Sequence, residues 1–319
     1  MHFLFVVDPL PALKAYKDSS VAMMRSLAAR GHTFSFSLMG DLYIREGQVR
    51  VSATAMQLRA DADWHGHDWW VQESAQDRSL TDFDGVLMRK DPPFDMEYVY
   101  ATHLFDYAAA QGARIFNSGA GIRNHPEKLA ITEFPQYTVP TLVSRHMDRL
   151  RAFHDEYHDV IVKPLDGMGG AGVFRLLPQE PNLGAILETL TEQGTRSVMV
   201  QRYIPEITQG DKRILIIGGE PIPFALARMP LKGETRANLA AGGHGVAQPL
   251  TSHDREMAEF VGRALVSRGL LLIGLDVIGR FITEINVTSP TCFVEIAEQT
   301  GFDVAAHYVQ ALERAVGAG

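Results

Sequence analysis

A glutamate and an asparagine two residues apart, Glu284 and Asn286, stand inside the apolar run Thr283-Glu284-Ile285-Asn286-Val287-Thr288. Successive strand residues point to opposite faces, so Glu284 and Asn286 share one face while Ile285 and Val287 take the other. That face offers hard oxygen donors, the kind Mg²⁺ selects when substrate phosphates complete its shell. Taken alone, the pattern describes a half-buried strand with a wet outer face. An aspartate upstream, a lysine-plus-glycine loop and arginines in mid-chain turn the reading toward phosphate chemistry. The apolar run from Leu271 to Ile278 stops at Gly279-Arg280 and resumes at Phe281-Ile282, which reads as a β-hairpin. A two-residue turn would put Asp276 on the wrong face, whereas a three-residue loop puts Asp276, Glu284 and Asn286 on one face. We expect the odd-length loop, and with it a metal set of Asp276, Glu284 and Asn286.

The phosphates need a cradle, and Lys163-Pro164-Leu165-Asp166-Gly167-Met168-Gly169-Gly170-Ala171-Gly172 offers one. It contains a formal G-x-G-x-x-G match, but the dinucleotide fingerprint requires a helix after the glycines. Here the strand-like run Val173 to Leu177 follows and Pro178 stops it. The loop therefore connects two strands as a flap, in which glycines let backbone N–H groups approach phosphate oxygens. Lys163, on the strand leading in, adds a point charge. On its own such a loop is a surface hairpin; beside the Asp/Glu/Asn set it points to a nucleotide. No Walker A pattern is present, which excludes a P-loop fold.

The elements that must position these groups follow an α/β rhythm. Phe3 to Val7 is a strand, Ser19 or Ser20 caps a helix closed by Gly31, and Thr33 to Met39 and Phe83 to Met88 are strands. A helix near Tyr98 to Ala110 and a strand at Arg114 to Asn117 complete an open parallel sheet. Ligands of such sheets bind at the carboxyl ends of strands, where Asp8 and Arg89-Lys90-Asp91 fall. A second unit starts near Arg123. It has a helix at Glu127 to Phe134, strands at Thr138 to Val143, Val160 to Lys163, Val173 to Leu177 and Ser197 to Ile204, and helices at Arg149 to Tyr157 and Leu183 to Thr191. Asn182 is read as the cap of the last helix. The third unit carries strands at Arg213 to Ile217 and Ile222 to Arg228 joined by Gly218-Gly219. Helices at Asp254 to Ser267 and Ala305 to Ala315 follow. The units are expected at residues 1–122, 123–204 and 205–319.

Composition limits the partners. The 319 residues are 46% hydrophobic and 21% charged, ordinary for a globular protein, and the net charge of −8 shows no basic patch for nucleic acid. The single Cys292 excludes an internal disulfide and leaves no thiolate zinc site, as in a reducing cytosol. No run is long enough to span a membrane and the N-terminal apolar run lacks a basic flank, so a cytoplasmic protein is expected.

The chain resembles the ATP-grasp superfamily, and within it the bacterial glutathione synthetases. The matching runs are Met88 through Asp95, Glu127-Lys128-Leu129, Lys163 through Gly170 and Gly210-Asp211-Lys212-Arg213. Gly233-Glu234-Thr235-Arg236, Asn238 through Gly243, Gly274-Leu275-Asp276 and Thr283 through Cys292 continue the series in order. The resemblance implies a Rossmann-like N-terminal domain followed by a two-part ATP-grasp fold with a lid. It also implies an ADP-forming ligase joining γ-glutamylcysteine to glycine with ATP and Mg²⁺, or Mn²⁺ in its place, and a homotetramer. By the same likeness Lys128 and Lys163 would hold phosphates under Gly167, Gly169 and Gly170. Gln201, Arg202, Tyr203 and Ile204 would line adenine, Asp211 the ribose, and Asn286 would reach the phosphates as well as the metal. Arg213 and Arg228, with Lys163, would serve catalysis, while Arg89, Arg236 and Asn238 would join the two arginines in holding substrate. The segment from Pro230 to Pro249 is the candidate cover over the acyl phosphate, which water would destroy.

Each residue also has a plainer reading. Arg213 and Arg228 could be solvated strand ends, Lys128 an exposed helix charge, and Arg89 and Lys90 loop charges. Cys292 reads as a small buried apolar residue rather than a nucleophile. The chain departs from the family pattern at Arg202, His244, Phe293 and Val294. The rival functions are another carboxylate–amine ligase on the same scaffold, for instance one adding an amino acid to a different γ-glutamyl or peptide acceptor, and a nucleotide-binding regulator without catalysis.

Overall fold

A computed structural model describes residues 1–230 and 244–317. In the N-terminal part, strands Thr33–Ser37, His2–Val6, Gly85–Met88 and Ile115–Phe116 lie side by side in parallel. Phe3, Leu4, Phe5 and Val6 are all fully buried, because helices and the C-terminal part cover both faces. The sheet is not parallel throughout, as the sequence had suggested. The strand Gln48–Leu58 adds antiparallel to Thr33–Ser37 and carries Leu42–Arg45, Trp70–Gln72 and Gln76–Ser79 on its flanks. Val49, Val51 and Ala53 alternate inward along it. Trp69 is buried here between Trp64 and Trp70, and the Arg25 guanidinium lies 4.6 Å from the Trp64 ring centre.

The first helix, Ser19–Ala29, is capped by Asp18 rather than by a serine. The carboxylate accepts from the backbone N–H of Ser20 at 2.7 Å and of Val21 at 3.0 Å. Both serine hydroxyls are used elsewhere: Ser20 Oγ accepts from Arg89 Nε, and Ser19 Oγ from the backbone N–H of Phe293.

A four-stranded antiparallel sheet follows, in the order Phe174–Leu176, Val160–Pro164, Val198–Arg202, Thr141–Ser144. Helices Met147–Tyr157 and Leu183–Leu190 pack on it. Asn182 occupies the cap position of the second helix but makes no capping bond; Glu180 Oε1 instead accepts from its backbone N–H at 3.0 Å. The expected helix from Glu127 to Phe134 is a short 3₁₀ segment, Leu129–Glu133.

The last sheet is antiparallel, in the order His244–Pro249, Glu220–Met229, Asp211–Ile217, Leu272–Ile278, Phe281–Asn286. Helices Ser252–Val266, Phe293–Thr300 and Val304–Gly317 cover it; the middle one was not foreseen from the sequence. Two apolar cores each draw side chains from both this sheet and the N-terminal one. The four-stranded sheet keeps a core of its own, formed by Leu150, Val160, Val162, Leu176, Leu187, Val198 and Val200.

Two polar clasps tie the first part to the last. Asn117, buried at the end of the fourth parallel strand, donates to the carbonyls of Leu272 (2.7 Å) and Val287 (2.9 Å) and accepts from Leu272 N–H (2.9 Å). On the surface Arg30 and His32 both meet Glu313 of the final helix. Among the described residues no helix is long and apolar enough to cross a membrane.

Candidate active site

The hairpin that carries the acidic residues closes differently from expectation. Ile278 pairs with Phe281 across a two-residue Gly279-Arg280 turn, and Val277 pairs with Ile282. The register then shifts: Asp276 stands opposite Glu284 and Gly274 opposite Asn286, so Thr283 is the extra residue of a β-bulge. The odd residue needed for parity is therefore inside the strand and not in the loop. Thr283 Oγ1 donates to the Asp276 carbonyl at 3.2 Å and so bonds across the ladder beside the bulge. Asp276, Glu284 and Asn286 do share one face.

Two lobes of a cleft meet on that face. One, of about 860 Å³, is walled by Ile161, Val173, Ile204, Ile207 and Ile278 and closed by Lys128, Lys163 and the glycine loop. The other, of about 740 Å³, holds Arg213, Arg228, Asn286, Glu127, Asp91 and the turn from Thr288 to Cys292. Asp276 and Glu284 line both.

Lys163 ends its strand with the ammonium buried, donating to the Thr283 carbonyl at 3.1 Å. Burial, with Lys128 nearby, pulls its pKa down to about 8 against the opposing pull of Glu284. Lys128 Nζ donates to the Gly167 carbonyl and, at 3.0 Å, to Glu284 Oε1. It thus links the glycine loop to the acidic strand. Gly169 and Gly170 have φ of +62° and +82°, a left-handed conformation that a side chain would strain.

At the far end of the first lobe, Gln201 turns its amide into the sheet, donating to Thr141 Oγ1 at 2.9 Å. Gln201 through Ile204 nevertheless line the lobe. The Tyr203 ring lies under the Arg175 guanidinium, 3.6 Å from its centre, and Arg175 is forked onto Asp159. Arg202 stands exposed at the rim.

Neighbouring strands bring the arginines to the face of Asp276, Glu284 and Asn286, since Arg213 pairs with Asp276 and Asp211 with Arg228. Arg213 Nε donates to Asp276 Oδ1 at 2.6 Å, and Arg228 Nη2 reaches Asp276 Oδ2 at 2.9 Å and Asp211 Oδ2 at 2.5 Å. Burial alone would raise the Asp276 pKa, but the two guanidiniums outweigh it and hold the carboxyl well below the usual range. Asp211 goes the other way: burial and the charge of Asp276 push it up to about 7 despite Arg228. Its Oδ1 is buried without a hydrogen-bond partner among the described residues and borders the first lobe.

No group of three His, Cys, Asp or Glu side chains gathers as a metal site among the described residues. The set here is two carboxylates and an amide. Asn286 donates Nδ2–H to the Gly274 carbonyl at 3.1 Å, which leaves Oδ1 as its acceptor. Two carboxylates and a carbonyl oxygen, all hard and all turned to one cleft, fit a cation that takes its other ligands from phosphate and water.

Arg89 lines neither lobe. It is buried behind the second, donating to Ser20 Oγ at 3.0 Å and to the Pro290 carbonyl at 2.9 Å, with Nη1 unpaired among the described residues. Arg236 and Asn238, with much of the segment expected as a cover, lie outside the described residues. Cys292 is buried, as expected. Two acids in the second lobe had no specific role in the sequence reading: Asp91, placed there only at the ligand end of its strand, whose turn is clamped by Asp8 through Lys90 Nζ (2.8 Å) and Asp91 N–H (2.9 Å), and Glu127. The only hint of Glu127 in the sequence is its place beside Lys128.

The fold is that of the ATP-grasp ligases. D-cycloserine synthetase DcsG superposes with a TM-score of 0.69 at 16% identity, covering 99% of this chain and 100% of that one. The ATP-grasp ligase PsnB, in a complex with a precursor variant, Mg and ADP, gives 0.61 at 18% identity over 98% of each chain. Within that fold, residues 1–123 match the family model "Prokaryotic glutathione synthetase, N-terminal domain", and residues 127–301 match "Prokaryotic glutathione synthetase, ATP-grasp domain". A glutathione synthetase of Bordetella parapertussis is 68% identical over 99% of this chain and 100% of its own length. One of Ralstonia nicotianae is 55% identical over 99% and 97%. The chain belongs to the prokaryotic glutathione synthetase family.

Proposed function

We propose that this chain is an ADP-forming carboxylate–amine ligase that joins γ-glutamylcysteine to glycine and so makes glutathione. Family membership over almost the whole length supports the activity. The observation that carries the site reading is the meeting of two lobes at Asp276 and Glu284, one apolar and closed by lysines and glycines, one polar and holding two arginines.

In this reading ATP fills the first lobe, with adenine against Gln201 to Ile204, the ribose near Asp211, and the phosphates on Lys128, Lys163 and the glycine loop. Asp276, Glu284 and Asn286 would hold Mg²⁺, or Mn²⁺ in its place, and the ion would offset the repulsion between phosphate and the attacking carboxylate. Arg213 and Arg228 turn from Asp276 toward the dipeptide carboxylate and later toward the oxyanion formed when glycine attacks the acyl phosphate. Arg89 acts on substrate by holding the Pro290 carbonyl in the turn behind the second lobe; Arg236 and Asn238 close over it. A homotetramer in the cytoplasm completes the proposal, and the lone buried Cys292 suits a reducing compartment.

The test is ADP release from ATP and Mg²⁺ with γ-glutamylcysteine, with and without glycine. Release that needs both, with glutathione identified by mass, is the expected result. Release only with another acceptor, or nucleotide binding without turnover, would overturn the proposal.

A further inference from the structure

We infer that Glu127 is the residue that receives the amine of the second substrate, an inference that rests on the ligase reading above. The incoming amine is an ammonium at neutral pH, and it must reach the acyl carbon beside two arginines. A cation entering that lobe needs an oxygen that neither arginine has already taken.

Four carboxylates line the lobe: Asp91, Glu127, Asp276 and Glu284. Asp276 is occupied by Arg213 and Arg228. Glu284 faces Lys128 and belongs to the metal set. Asp91 is exposed at the rim. Glu127 alone is both fixed and open. Its Oε1 accepts from the backbone N–H of Val287 at 3.0 Å, the N–H of Thr288 at 3.2 Å and Thr288 Oγ1 at 2.8 Å. Three donors on one oxygen set the rotation of the carboxylate, and its own backbone carbonyl is held by Ile285 N–H at 2.9 Å. Its Oε2 meets no donor among the described residues and stays open to the lobe. A carboxylate oxygen so placed, next to the strand that carries Glu284 and Asn286, is an acceptor aimed at an N–H of the substrate.

A clamp on the turn at Val287 and Thr288 is the competing role, and Glu127→Gln separates the two. The amide oxygen can keep the three donors of the turn while the charge facing the lobe is lost. The variant should raise the KM for glycine roughly 10- to 100-fold, the loss of a charge-assisted hydrogen bond, and leave the KM values for ATP and γ-glutamylcysteine near wild type. Hydroxylamine, a nucleophile that is neutral at pH 7, should be turned over by Glu127→Gln as well as by wild type. An unchanged KM for glycine would overturn the inference, as would a rise confined to the dipeptide, which also carries an ammonium. Loss of hydroxylamine turnover together with a lower melting temperature would assign Glu127 to the clamp. If wild type itself makes no glutathione, the ligase reading fails, and not this residue.

Discussion

Glu284→Gln should abolish ADP release while leaving the thermal transition close to that of wild type. The amide preserves the shape of the side chain and an acceptor for Lys128 Nζ, 3.0 Å from Glu284 Oε1. What it removes is one of the two negative charges on the face shared by Asp276, Glu284 and Asn286. A bound divalent ion contributes several kcal/mol of charge stabilisation in such reactions, so losing one carboxylate ligand should lower turnover on the order of 10³-fold. Glu284→Ala would confound this by leaving the buried Lys128 ammonium short of a partner. A coupled ADP assay with calorimetry on the same sample is sufficient. Turnover within a factor of ten of wild type would remove Glu284 from the metal set.

The largest effect on stability is expected from Asp276→Ala. Arg213 and Arg228 are 6% and 4% exposed and converge on this one carboxylate, so the substitution strands the buried Arg213 guanidinium and leaves Arg228 with Asp211 alone. Breaking a buried pair by removing one partner costs about 3–5 kcal/mol. The pH dependence has a definite sign. Because the Asp276 pKa in the folded protein lies below its unfolded value, its contribution is complete above the ordinary carboxylate range and is lost only as pH falls through the depressed folded value. The Asp276 contribution itself should therefore be constant from pH 5 to pH 9, while Asp211, raised to about 7 partly by the Asp276 charge, should make the difference between wild type and variant in urea titrations shrink as pH rises toward 7. A loss below about 1 kcal/mol would mean that Asp211, already 2.5 Å from Arg228, takes over both charges.

How much of this was legible in the sequence depends on the distance over which each feature is decided. The shared face of Glu284 and Asn286 follows from strand period alone and was readable. Asp276 reaches the same face through a bulge at Thr283, and a β-branched threonine in an apolar run carries no signal for a bulge. The glycine loop was readable as a flap because the strand-like run after Gly172 excludes a helix. The pairing of Arg228 with Asp211 depends on a register shift between Ile214 and Ile216 inside their hairpin, and that of Arg213 with Asp276 is a matter of register between strands far apart in sequence. Glu127 was missed for the same reason, since its partners lie 160 residues away. At the start of the first helix, Asp18, Ser19 and Ser20 all have capping side chains, and only the packing of Arg89 and Phe293 decides which is free to cap. The antiparallel arm from Leu42 to Ser79 had its alternation in view at Val49, Val51 and Ala53, but its partner strands there are only three or four residues long.

The seven side chains that the four-stranded sheet keeps to itself make it a separate cooperative unit. Its sub-global opening costs less than unfolding the molecule, because it lends a fully buried side chain, Met199, to only one of the two shared cores. The first lobe is lined both by this unit, which holds the glycine loop, and by the last sheet, so a nucleotide bound there would couple the opening of the one to the other. The acidic strand, anchored in a core shared with the N-terminal sheet, keeps its shape whether or not that unit is closed.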